Sequence, residues 1–170
     1  MEWGRGYTLD QIDDAQARYG LVFPSDLVAL LYERRLVGRG TYDWSTENEQ
    51  IRMMLAWPFD RLAFHVDHGD WWPDWGEEPK DGEARREVLR HALAEAPKLI
   101  PIYGHRFLPE STDARPGNPV ISMYGFDTIY YGADLDDYFR REGRTGLEAI
   151  GAAQYVPFWS DIIERWQEVL

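Results

Sequence analysis

His65, Asp67, His68 and Asp70 fall within six positions of one another, and imidazole with carboxylate is the ligand set of many zinc and iron sites. A metal-dependent hydrolase using His65, Asp67 and His68 is therefore the enzymatic reading. The surrounding pattern competes with it. Leu62, Phe64 and Val66 alternate with Ala63, His65 and Asp67, which predicts a half-buried strand. On that strand His65 and Asp67 share a face, whereas His68 and Asp70 already belong to the next loop. His91 and His105 stand alone in their own elements, so a solvated strand end accounts for the cluster without metal.

Other chemistries lack their residues. The chain has no cysteine, which removes disulfides, thiolate nucleophiles and Cys-ligated zinc or iron–sulfur sites. No Gly-x-Ser-x-Gly elbow or phosphate-binding glycine loop is present, and the Gly-x-Gly pairs at Gly4–Gly6 and Gly38–Gly40 read as turns. Glu77 with Glu78, and Asp134 with Asp136 and Asp137, offer carboxylate pairs for acid–base work. Asp134 is placed to cap a helix, however, and Asp136 and Asp137 fall in its first turn, where the macrodipole favours negative charge. No catalytic, cofactor-binding or metal-ligating residue is assigned on these grounds.

The elements that position these residues follow from capping and periodicity. Thr8 and Gln11 form a capping box for a helix ending at Gly20, and Ser25 is placed to cap a second helix over Asp26–Arg34. A third helix, Thr46–Leu55, is expected to end near Trp57 because proline at Pro58 disfavours helical geometry before it. The stretch Asp67–Gly82, with Trp71, Trp72 and Trp75, is rich in Gly, Pro and Asp and reads as an ordered loop whose rings close over the sheet by burial, with an exposed interface anchor or stacking platform as the alternative. Asp81 then caps a helix over Gly82–Ala96. Leu99–Tyr103, Arg106–Leu108, Val120–Tyr124 and Thr128–Tyr131 are short strands with turn residues between them, the spacing of an antiparallel meander. A helix from Asp134 to Arg141 and a last one over Trp159–Val169, with Ile162, Ile163, Trp166 and Val169 inward, complete the order. The prediction is one α+β domain over residues 1–170, a twisted antiparallel sheet with helices packed around it.

Thirty acidic against eighteen basic residues give a net charge of −12, which repels bare phosphate backbones and steers basic partners. Direct nucleic-acid binding is not expected. No apolar run reaches the roughly 20 residues of a membrane span, and the first residues lack a secretion signal, so a cytoplasmic protein with no membrane association is expected.

Two stretches, LIPIYGHRFLP and GNPVISMYGFDTIYYGADLDDYF, resemble the SUKH superfamily, of the Knr/Smi type named after a fungal regulator of cell-wall synthesis. YGLVFPSDLVALL, WPFDRLAFHV and WWPDWGEEP are similar to further family elements. The resemblance implies an α+β fold and binding in place of catalysis. Many bacterial members neutralise toxins, often nucleases or deaminases, and fungal members act as regulatory scaffolds. The leading expectation is an immunity protein that binds a basic toxin domain, with a regulatory scaffold as its alternative. Candidate contacts are Trp71, Trp72, Asp74, Glu77 and Glu78 on the central loop, with Asp136 and Asp137 as a second acidic edge. Arg106 and Asn118 are read as structural ties of the hairpins, and Asp127 either caps a turn or presents charge at the sheet edge.

Overall fold

The computed structural model describes residues 1–111, 113–142 and 149–169. The capping box forms as predicted. Thr8 Oγ1 accepts from the Gln11 amide, the Gln11 side chain accepts from the Thr8 amide, and α1 (Leu9–Tyr19) ends at Gly20 in the left-handed region. α2 spans Ser25–Glu33, with Pro24 and not Ser25 in the cap position. Ser25 is already helical, and its amide donates to Ala114 O at 2.9 Å.

Arg34 leaves the second helix and starts a strand. β2 (Arg34–Val37) pairs antiparallel with β1 (Glu2–Arg5), a small sheet that the sequence reading did not contain.

The main correction concerns the third helix. α3 runs over Glu49–Asp67 and contains Pro58, so the strand expected at Leu62–Val66 does not exist. Asn48 caps this helix through its side-chain oxygen. Pro58 is buried, and Ile51, Leu62, Ala63 and Val66 are buried beside it on the same helical face. Packing along this face outweighs the hydrogen bond that proline removes.

α4 (Gly82–Glu95) is capped by Asp81 as expected. The meander is likewise present. β3 (Leu99–Tyr103), β4 (Arg106–Pro109), β5 (Val120–Ser122) and β6 (Ile129–Gly132) pair in sequence order, all antiparallel. α5 (Leu135–Arg141) is capped by Asp134, and in α6 (Trp159–Val169) Ile162 and Trp166 are buried and Ile163 half-buried, while the Val169 side chain lies outside the described residues.

Neighbouring strand residues point to opposite faces, and both faces of the meander are covered. Ile100, Leu108 and Val120 pack with Ile12, Ala15, Leu27, Leu135 and Tyr138 from α1, α2 and α5 and with Phe23 from the connection between α1 and α2. Leu99, Phe107 and Ile121 pack on the other face with Leu62, Val66, Leu89, Trp159 and Ile162 from α3, α4 and α6. The architecture is α+β, with helices on both sides of a four-stranded antiparallel sheet. Among the described residues no helix is long and apolar enough to cross a membrane.

Candidate interaction surfaces

The loop between α3 and α4 is held from several sides. A short 3-10 turn at Pro73–Trp75 lets the Trp71 N–H donate to Gly76 O at 2.8 Å, and the Trp71 and Trp75 rings meet edge to face. Trp72 lies in the core at 4% exposure, which agrees with the burial reading of the loop and removes it from the contact residues. Its ring lies 18° from parallel to Phe126 and tilts against Trp166. Large rings with one polar edge make good plugs, and here the plug seals the α6 side of the sheet. Trp71 and Trp75 remain half-buried.

The loop carboxylates divide in the same way. Asp74 receives both terminal nitrogens of Arg165, at 2.6 and 3.1 Å, and these hydrogen bonds hold its carboxyl below the usual range. Glu78 pairs with Arg85 at 2.9 Å. Glu77 is exposed with no ion-pair partner among the described residues. Of the three acids expected to steer a basic partner, Glu77 is the one left uncompensated.

The second acidic edge sits elsewhere. Asp137 accepts from the Ala133 amide and from Arg141, which in that order hold it below the usual carboxylate range. Asp136 is exposed and lines two adjoining surface grooves, of about 490 and 300 Å³, that share Arg34 and Phe139. Because α5 packs on one face of the meander and the tryptophan loop on the other, the two acidic sets belong to opposite layers. They do not form one continuous patch.

The histidine cluster changes its geometry on a helix. His65 and Asp67 are two positions apart and so project to different sides, in contrast to the strand expectation. His65 Nδ1 meets Asp70 Oδ2 at 2.8 Å, Asp67 pairs with Arg86 at 2.6 Å, and His68 Nδ1 meets Phe64 O at 2.7 Å. Among the described residues no group of three or more His, Asp or Glu side chains is placed to hold a metal ion.

Arg106 and Asn118 are tied into the hairpins. The Asn118 side chain is buried and donates to Pro109 O at 2.8 Å. The Arg106 guanidinium lies 4.0 Å from the Tyr131 ring centroid and 3.7 Å from Glu142, linking β4 to β6 and to the residue after α5. Burial, then the charge of Arg106, lowers the pKa of His105 beside it. Asp127 is exposed in a 3-10 turn, Gly125–Asp127, before β6.

Sequence reasoning missed a third surface because it assigned α3 to two elements. On the outer side of that helix the Arg61 guanidinium lies between two aromatic rings, 4.1 Å from the Trp57 centroid and 5.2 Å from that of Tyr124. The Trp57 N–H donates to Met123 O at 2.9 Å, which fastens this part of the helix to the end of β5. Phe64 is 54% and Tyr124 48% exposed, so the patch keeps large apolar surface in water. Uninterrupted helical spacing from Met53 to His68 is the signal that would have revealed it.

No family model, curated protein or solved structure matches the chain.

Proposed function

We propose that the chain is a non-catalytic protein-binding domain that acts in the cytoplasm as an immunity protein, occluding a basic toxin domain. The observation that carries this reading is the acidic surface that internal pairing leaves uncompensated. Asp74, Glu78 and Asp137 are spent on arginines of the same chain, whereas Glu77, Asp127 and Asp136 are exposed without an ion-pair partner among the described residues. A toxin that cuts nucleic acid carries a basic cleft, and an acidic partner docks into such a cleft quickly through charge steering. The resemblance to the SUKH superfamily supports the same reading. Its YGHRFLP, GNPV and DTIYYG stretches run from the end of β3 through β4, over the entry to β5, and from the 3-10 turn into β6.

The test is capture of partners by the tagged chain from lysate of its own cells at low and high salt, followed by association kinetics. A basic toxin domain retained near one to one, with an association rate that falls as salt rises, is the expected result. Retention of only endogenous regulatory or cell-wall proteins assigns the chain to the scaffold role and overturns the immunity reading.

A further inference from the structure

We propose that a second copy of this chain docks on the outer face of α3, forming a two-fold symmetric dimer independent of the toxin-binding reading. The buried residues of α3, Ile51, Pro58, Leu62, Ala63 and Val66, define its inner side. Opposite them, exposed Met53, Phe64 and His68 and half-buried Trp57 and Arg61 recur at intervals of four, four, three and four residues. That is the spacing by which one helix lies along another, and it covers nearly the whole length of α3. Met53 is 64% and Phe64 54% exposed, and Tyr124 flanks the row at 48%. Trp, Tyr, Arg and Met are also the residue types that dominate protein interfaces.

Charge identifies the occupant as a copy of the same chain. Arg61 stacks on rings but has no carboxylate partner among the described residues, and the adjacent Asp60 is exposed without a cation. Successive positions on one helix do not face each other, so these two cannot pair within the chain. An antiparallel copy of α3, with the two-fold axis between positions 60 and 61, brings each Arg61 to the other copy's Asp60. The same axis sets Met53 against His68 and Trp57 against Phe64, so four members of the row meet one another and the fifth, Arg61, meets Asp60. Self-complementarity of this kind is what an isologous interface requires. Two chains of charge −12 repel over most of their surface, whereas here Asp60 and Arg61 cancel.

Sedimentation equilibrium of the full chain from about 1 to about 500 μM tests the proposal. A monomer–dimer equilibrium is expected. Arg61→Asp should weaken it at least about tenfold, and the combined Asp60→Arg and Arg61→Asp exchange should recover it to within about threefold. Phe64→Asp, at an exposed position whose ring touches the His65 and His68 rings, should abolish it, with circular dichroism reporting that each variant is folded. A monomer at every concentration overturns the proposal, as does a dimer indifferent to Phe64→Asp. An exchange that fails to recover the loss overturns the antiparallel register on which it stands.

Discussion

Phe126 and Trp166 lie face to face, with 4.1 Å between ring centroids and 16° between ring planes. Through this contact the turn before β6 and the last helix share one aromatic lid, with Trp72 beneath it. Trp166 is 7% and Phe126 1% exposed, so truncating either opens a void that the surrounding rings cannot fill. Trp166→Ala should cost about 3–5 kcal/mol, measured by urea denaturation, and Trp72→Ala a similar amount. A loss below about 1 kcal/mol for both would show that the loop is not a plug.

Gly125 governs the same region from below. Its φ is +68°, and a Cβ built there would lie 2.3 Å from His65 Cδ2. The left-handed backbone alone costs an L-residue about 1 kcal/mol, and the clash with the imidazole adds to it. Gly125→Ala should therefore lower stability by more than about 1 kcal/mol, whereas Gly104→Ala, at φ +52° with open space around it, should cost the backbone strain alone. Thermal melts of the two variants check the difference.

Acid should weaken the loop and α5 together. Asp74 and Asp137 both titrate below their ordinary value of 3.8, held there by Arg165 in the first case and by the Ala133 amide and Arg141 in the second. A carboxyl depressed in the folded state contributes stability that is complete above its unfolded value and is lost as pH falls through the folded one. Denaturant midpoints should thus drop below about pH 4, and Asp137→Asn should flatten that part of the profile while lowering stability at neutral pH. An Asp137→Asn profile that still parallels the wild type below pH 4 would remove this carboxylate from the acid response.

Opposite placement of the two acidic sets makes a sharper demand on binding. One partner seated on one layer can sense Glu77 or Asp136, but not both at short range, since interactions beyond about 10 Å are screened at physiological salt. Glu77→Lys and Asp136→Lys should therefore differ in their effect on the association rate of a given basic partner, one slowing it several-fold and the other scarcely at all. Equal slowing by both would mean that the partner wraps around a sheet edge.

Capping and turn chemistry made most elements legible in advance. Thr8, Asp81 and Asp134 each announce a helix through a side chain that accepts a backbone N–H, and Gly20 announces an end. The meander followed from short β-rich runs divided by turn residues. The failures share one cause, the competition of tertiary packing with local rules. Pro58 marks a helix end by every local criterion, yet its ring sits in the buried face of α3, where the packing of Ile51, Leu62 and Val66 sustains the helix through it. Leu62, Phe64 and Val66 mimic strand alternation because Phe64 happens to be apolar on the solvent side. β1 and β2 are four residues each, with Gly and Arg among them, too short and too polar to stand out from a loop. Nor could spacing tell that Glu77 and Asp136 occupy opposite layers. That follows from the alternation of Leu99 with Ile100, and of Phe107 with Leu108, between the two cores.

A sheet clothed on both faces has no broad bare surface of its own to offer. Whatever meets this protein meets the outsides of helices and the loops between them, and those outward side chains answer to no strand register. Glu77, Asp136 and the row along α3 can each be rewritten by single substitutions while Ile100, Phe107, Leu108 and Ile121 keep the strands in place. The scaffold thus separates what must stay fixed from what can be retuned, and different sides of one molecule can acquire different partners in successive steps.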